Sequence, residues 1–288
     1  MEILNRIDGY LSNDFCGSDF FQLYSFTTEN INGYMHFFEL KDKTLLTVGS
    51  SSDQAINATL ARCSDITVCD ICPLTKYFYY LKLASLLVLN REDFLNFLCK
   101  KQCDMKCNRH LLSKSIFNRV KNTLKSLDYE SYYIWEYLFS NYDKKDIEKL
   151  FRGDINDLAS IIYCNRYLKN DYNYNHARET VMNASIDFIT EDITKLYTNK
   201  SFDNIWLSNV AHYLYSQGID SMIRNCSRML NDNGKMLLCY FWNTSMTIKG
   251  FPIEQLSSIE SKQIKIQGIL KDEGKNSILV YTKNNFIN

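Results

Sequence analysis

From Thr44 to Asp70 the chain switches twice between short apolar runs and a helical spacing. Leu45 to Val48 is an apolar run ending at a Gly/Ser loop, which predicts a buried strand. Ala55, Ile56, Ala58, Thr59 and Leu60 then recur at intervals that place them on one face of a helix, and Ile66 to Cys69 predicts the next strand. A strand, a helix and a strand in so short a span predict a parallel pair with a crossover helix. In open parallel sheets, ligands bind in the crevice beyond the carboxyl ends of the strands. Gly49 to Asp53 and Asp70 would therefore project to one rim.

Strand patterns resume only much later, at 186–189, 204–207, 235–240, 263–269 and 277–282. The intervening 71–185 contains one proline, Pro73, and one glycine, Gly153, and predicts successive helices near 74–105, 110–126, 129–141, 144–150 and 154–169. The expected organisation has three parts. Residues 1–40 form an N-terminal helical cap over the crevice, and residues 41–73 and 186–288 build the ligand-binding α/β domain. Residues 74–185 form a large helical insertion between strands 2 and 3, where an acceptor would be selected.

Composition narrows the class. Over 288 residues, 45% are hydrophobic, and 17 Phe with 20 Tyr supply ample apolar surface, which excludes a disordered or fibrous chain. Lys and Arg (33) balance Asp and Glu (33), so there is no global field to attract nucleic acid or an anionic membrane. No window reaches the roughly 18 apolar residues of a membrane span, and the chain does not open with a basic flank before an apolar stretch, so a cytoplasmic location is expected. Ten cysteines spread along such a chain read as reduced thiols.

The loop Gly49-Ser50-Ser51-Ser52-Asp53-Gln54 follows a strand and opens a helix, so its backbone N–H groups and small hydroxyls can approach a polar ligand. An ordinary strand-to-helix turn with a serine cap reads equally well from the loop alone. It lacks the repeated glycines of a dinucleotide site and the Lys-Ser/Thr of a P-loop. Asp70, about 20 residues onward at a strand end, is where a carboxylate holds both hydroxyls of a nucleoside ribose.

The segments TENINGYMHFFELKDKTLLTVGSSSDQAINA, ITVCDICPLTKYFYYLKLASL and FDNIWLSNVAHYL resemble a bacterial family related to the aminocarboxypropyl-transferase half of betaine-lipid synthesis. More widely, they resemble class I S-adenosylmethionine-dependent methyltransferases. The resemblance covers most of the chain and implies a Rossmann-like α/β fold with S-adenosylmethionine as cofactor. It implies that Gly49, Ser50 and Asp53, with Ser51 and Gln54 in the same loop, contact the methionine part. Asp70, followed by Ile71, would take the ribose, and Asp192 or Glu191 the adenine amino group. The loop departs from the G-x-G-x-G pattern of most such enzymes, which leaves the carboxylate and amine contacts open.

Ser208-Asn209 falls just past the fourth strand, where that fold presents polar residues to the reacting groups. Asn209 is the candidate to hold the cofactor's amino group or the acceptor. His212 and Tyr213 follow within one helical turn, and each is a candidate to orient an acceptor or take its proton; a hydrogen-bonded helix residue is the plainer reading of His212. Displacement from a sulfonium has a good leaving group, so positioning can supply most of the catalysis.

Two further patterns bear on partners. Cys99, Cys103 and Cys107 with His110 recur on one stripe, but C-x3-C-x3-C on a helix does not match an iron–sulfur loop, so structural thiols and no metal are expected. Between Lys100 and Lys125, eight basic residues face one acid, Asp104. A solvated helix face explains them, and the alternatives are peripheral contact with an anionic membrane or a phosphorylated acceptor. Nucleic acid is not expected.

The expected function is group transfer from S-adenosylmethionine to a small-molecule or lipid acceptor, with a tilt from the family resemblance toward the 3-amino-3-carboxypropyl group. Methyl transfer is the alternative, and a non-catalytic nucleoside sensor is a third.

Overall fold

The computed structural model describes residues 2–12, 21–49, 51–99, 112–152, 158–214, 216–241, 259–267 and 275–283. Seven strands form one sheet: β1 (Thr44–Val48), β2 (Asp65–Asp70), β3 (Ser185–Thr190), β4 (Phe202–Trp206), β5 (Leu230–Phe241), β6 (Ile259–Gln267) and β7 (Lys275–Lys283), in the order β3-β2-β1-β4-β5-β7-β6. β3, β2, β1, β4 and β5 run parallel, whereas β7 is antiparallel to both β5 and β6. The order reverses at β1, which pairs β2 on one side and β4 on the other, and this is the switch point where a doubly wound sheet opens a crevice.

The helices are α1 (Glu2–Leu11), α2 (Ile31–Tyr34), α3 (Asp53–Leu60), α4 (Thr75–Val88), α5 (Arg91–Leu98), α6 (Lys114–Leu127), α7 (Tyr129–Asn141), α8 (Lys144–Glu148), α9 (Leu158–Cys164), α10 (Asp171–Thr180) and α11 (Ser216–Met229). Between β2 and β3 every named element of the described residues is helical. The predicted helix over 74–105 is divided: α4 stops at Val88, and Asn90 accepts the Asp93 N–H at 2.7 Å to start α5. An asparagine N-cap satisfies an amide that a continuous helix would have bonded internally. Helix α10 was absent from the expectation, because DYNYNHARET is polar all round. It forms because Asn170 caps it and because Tyr174 and Ala177 bury against the helical layer.

Helix α3 departs most from a simple amphipathic reading, since all eight of its residues are buried, polar ones included. Asn57 makes this tolerable. Its amide donates to the Asp53 carbonyl at 2.8 Å and to Asn165 Oδ1 at 2.9 Å, while its own oxygen accepts the Arg166 N–H at 3.0 Å. Buried polar groups of this kind are tolerated only when their hydrogen bonds are made. On the same side of the sheet, Trp206 of β4 packs edge-on to Tyr34 and Phe38 at centroid distances of 5.4 and 5.6 Å, fixing the N-terminal segment over the strand.

Candidate active site

Strand register sets the rim. Val48 pairs with Cys69 and Thr47 with Trp206, so Gly49 comes to lie between Asp70 on one side and the turn beginning at Ser208 on the other. Asp70 in turn pairs with Thr190, and the Glu191 N–H donates to the Asp70 carbonyl at 3.1 Å. The chain ends that sequence spacing singled out thus fall in one row. Of these, Asp70, Glu191 and Ser208 line a crevice together with Ser51, Gln54, Ile71, Asp192 and Asn209, while Gln22, Tyr24, Thr27, Thr28 and Glu29 close it from the N-terminal segment.

Asp70 is half-buried, and its Oδ1 accepts the Cys72 N–H at 2.9 Å, which fixes the carboxylate at the end of β2. Ile71 beside it is exposed, unusual for an isoleucine at a strand end, and with Ile193 it gives the crevice an apolar wall. Glu191 and Asp192 both reach the crevice. Asp192 also holds its own turn, accepting from the Thr194 N–H and hydroxyl at 2.9 and 2.8 Å.

Gly49 and Asp53 act differently from the contacts expected of them. Gly49 does not line the crevice, and its glycine is required by crowding. A Cβ there would sit 2.3 Å from Thr75 Cγ2, 2.7 Å from Val68 Cγ1 and 3.2 Å from Asp70 Oδ2. Asp53 is fully buried and does not reach the crevice. Its Oδ1 accepts from Lys82 Nζ at 2.5 Å and the Tyr167 hydroxyl at 2.7 Å, and its Oδ2 from the Thr27 N–H at 2.6 Å. A carboxylate with these partners is structural. Ser50 lies outside the described residues, as does the His212 side chain, although the His212 backbone is in the single turn Val210–Tyr213.

The residue that sequence reasoning missed is Glu29. It lies within the TENINGY segment, but nothing in its spacing marked it. Buried at the crevice, it accepts from the hydroxyl of Ser208 and from that of Tyr34 at 3.3 Å, and it is bonded by the Asn209 backbone and Gln54. Burial pushes its carboxyl above the ordinary carboxylate range, and these donors only partly oppose that. Glu29 therefore ties the N-terminal segment to the turn after β4 and the loop after β1. Ser208 holds a left-handed backbone, φ 54°, at the same point. Non-glycine residues in that region are uncommon and collect at functional sites.

At the mouth, Tyr213 is half-exposed and joins Tyr24 and Arg152. Leu23 pairs with Phe151 as a short bridge, its N–H on the Leu150 carbonyl and its carbonyl accepting the Arg152 N–H, both at 2.8 Å. This bridge sets Tyr24 beside Arg152. No helical or strand periodicity marks Arg152.

The other candidate groups separate from this site. Cys99 is buried, while Cys103, Cys107 and His110 lie outside the described residues; among those described, no three His, Cys, Asp or Glu side chains are grouped to hold a metal. Of the basic run, Arg119 pairs with Asp93 at 2.8 Å, Lys121 with Glu136 at 3.6 Å, and Lys125 lies 5.3 Å from the Tyr132 ring centroid. Lys100, Lys101, Lys106 and Arg109 lie outside the description. Among the described residues, no helix is long and apolar enough to cross a membrane.

Comparison with known proteins gives three findings. A family model described as a methyltransferase domain matches residues 156–238, which run from α9 into β5 and leave out the loop after β1. No curated protein sequence matches the chain. Among solved structures, the chain is similar to the N-methyltransferase NodS of Bradyrhizobium japonicum, with 10% identity over 84% of this chain and 86% of that one and a TM-score of 0.40. It is similar to a TehB-like S-adenosylmethionine-dependent methyltransferase of Corynebacterium glutamicum, with 10% identity over 97% of each chain and a TM-score of 0.41. A third is magnesium protoporphyrin IX methyltransferase of Synechocystis with S-adenosylmethionine bound, at 8% identity over 87% and 74% of the two chains and a TM-score of 0.41.

Proposed function

We propose that the chain is a class I S-adenosylmethionine-dependent transferase, a reading supported by its sheet order and by the match of residues 156–238 to a methyltransferase domain, and that it transfers a methyl group from S-adenosylmethionine to an acceptor at the mouth of the crevice. The observation that carries this reading is the placement of the Asp70 carboxylate at the end of β2, in register beside Gly49 and next to the exposed Ile71. A carboxylate fixed by a backbone N–H beside an apolar wall fits a nucleoside, with the acid on the ribose hydroxyls and the base against Ile71 and Ile193. When bound, S-adenosylmethionine supplies an electrophilic carbon on a sulfonium and a neutral thioether as leaving group.

The residues of the chain orient the two reactants. Asp70 holds the nucleoside, and the loop at Ser51 and Gln54 borders the methionine end. Asn209, whose backbone is fixed through Glu29, lines the crevice with Tyr213 and would hold the acceptor. Positioning two reactants in line supplies a large part of the barrier reduction for such a displacement. The match of 156–238 to a methyltransferase domain favours methyl over the 3-amino-3-carboxypropyl group.

Calorimetric titration with S-adenosylhomocysteine and methylthioadenosine tests the reading. Both nucleosides should bind the wild type, and Asp70→Ala should weaken each by about tenfold or more, the loss of a charged hydrogen-bond acceptor worth roughly 1.5–3 kcal/mol. Tighter binding of S-adenosylhomocysteine than of methylthioadenosine supports methyl transfer, because each is the spent form of one reaction. Unchanged affinity in Asp70→Ala would sink the site assignment.

A further inference from the structure

Among the described residues, those lining the crevice include four carboxylates, Glu29, Asp70, Glu191 and Asp192, and one cation, Arg152. Arg152 is paired with none of the four; its interacting neighbours are Tyr24 and Tyr213. Its Nη1 donates to the Tyr24 hydroxyl at 2.8 Å and to the Tyr213 hydroxyl at 2.9 Å, and its guanidinium carbon lies 5.7 Å from each ring centroid. The backbone bridge between Leu23 and Phe151 holds this arrangement whatever the side chain at 152.

Counting donors shows what the cluster lacks. A guanidinium carries five N–H groups and no acceptor. Nη1 uses its two on the phenols, so the Nε hydrogen and both on Nη2 have no partner among the described residues. The two phenol oxygens lie 3.1 Å apart and share one hydrogen, which leaves the other hydroxyl's hydrogen also without a partner there. The cluster therefore offers a fixed positive charge and four unused donors, and its complement is an acceptor-only group of negative charge. A guanidinium fork matches a carboxylate or phosphate with two parallel hydrogen bonds.

We propose that Arg152, Tyr24 and Tyr213 form an oxyanion subsite at the crevice mouth that binds a carboxylate or phosphate group of the acceptor. The acceptor is thus an anionic molecule, a statement that rests on the transferase reading above. All three residues come from outside the strand ends that hold the nucleoside: the N-terminal segment, the stretch after α8, and the turn after β4. The subsite is a place where the substrate, and not the nucleoside, is read.

The test is titration of acetate, inorganic phosphate and acetamide into the protein saturated with S-adenosylhomocysteine, ionic strength being held constant with chloride, on wild type, Arg152→Gln, Arg152→Lys and Tyr213→Phe. Acetate or phosphate should bind the wild type while uncharged acetamide does not. Arg152→Gln should weaken the anion by about tenfold or more. Arg152→Lys, which keeps the charge and loses the fork, should fall between, and Tyr213→Phe, at a half-exposed side chain, keeps the test open if the Arg152 variants misfold. Affinity for S-adenosylhomocysteine and methylthioadenosine should be unchanged throughout. A selective loss of S-adenosylhomocysteine in Arg152→Gln would overturn the proposal, because the guanidinium would then serve the cofactor's own carboxylate. So would acetamide binding as well as acetate, or neither ion binding. Failure of both nucleosides to bind the wild type sinks the transferase reading instead, and the anion titration without nucleoside still reports on Arg152.

Discussion

Lys82 and Asp53 form an ion pair, 2.5 Å from Nζ to Oδ1, with both side chains fully buried. Each hydrogen of the ammonium has a partner, since Nζ also donates to the carbonyls of Ser25 at 2.9 Å and Ser51 at 2.8 Å. The Phe26 ring adds a face 4.4 Å away. One side chain of α4 thereby fixes the N-terminal segment, the loop after β1 and the start of α3. Burial draws the ammonium below its ordinary range and Asp53 opposes that shift.

Removing one partner leaves the other charge buried and unpaired. Lys82→Met should therefore lose about 3–5 kcal/mol in urea unfolding. Lys82→Met with Asp53→Asn should recover part of the loss, because asparagine is neutral, its oxygen can still accept the Thr27 N–H, and its NH2 can donate to the Tyr167 hydroxyl oxygen. Additive losses in the double variant would show that the pair is not the unit that matters.

Ser52 begins α3 with a left-handed backbone, φ 67°, makes no side-chain cap, and buries a hydroxyl without a partner among the described residues. Glycine relieves both the conformation and the orphaned hydroxyl. Ser52→Gly should raise stability by about 1 kcal/mol, the usual cost of an L-residue in that region. A drop in the urea midpoint would contradict this.

Glu29 gives the fold a pH dependence of definite sign. Its carboxyl is raised by burial above the ordinary value of 4.5, so over the interval from 4.5 to its folded value the native state holds a proton that the unfolded chain has released. Stability contributed by the group is full below that interval and falls as pH rises through it. Glu29→Gln cannot ionise and should flatten this part of the stability–pH curve. Unfolding in urea across a pH series reads it, and an unchanged slope would assign the dependence elsewhere.

Gly49→Ala should cost about 1–3 kcal/mol through overpacking against Thr75 and Val68, and should weaken nucleoside binding by displacing Asp70. Thr75→Ser removes the methyl that a Cβ would meet at 2.3 Å and should restore part of both, leaving the Val68 contact at 2.7 Å. No recovery of stability in the double variant would place the cost in the remaining Val68 contact and not in Thr75.

Local pattern located the seven strands, with β5 and β6 beginning earlier than expected, and the position of Asp70, because the inner strands β1, β2 and β4 are apolar runs whose ends are visible in the chain. It determined the row formed by Gly49, Asp70 and Ser208 as well, since parallel strands bring their carboxyl ends together. What belonged to tertiary structure was the use of each polar group. Asp53 stands in the loop as plausibly as Asp70, yet Lys82, Tyr167 and Thr27 converge on it from far along the chain and withdraw it from the crevice. Glu29 and Arg152 carried no periodic signal and reached the site through contacts with Ser208 and with the Leu23 bridge. Spacing along a chain reports which residues share a face of one element; which carboxylate is neutralised, buried or left to meet a ligand depends on partners that only folding brings within hydrogen-bond distance.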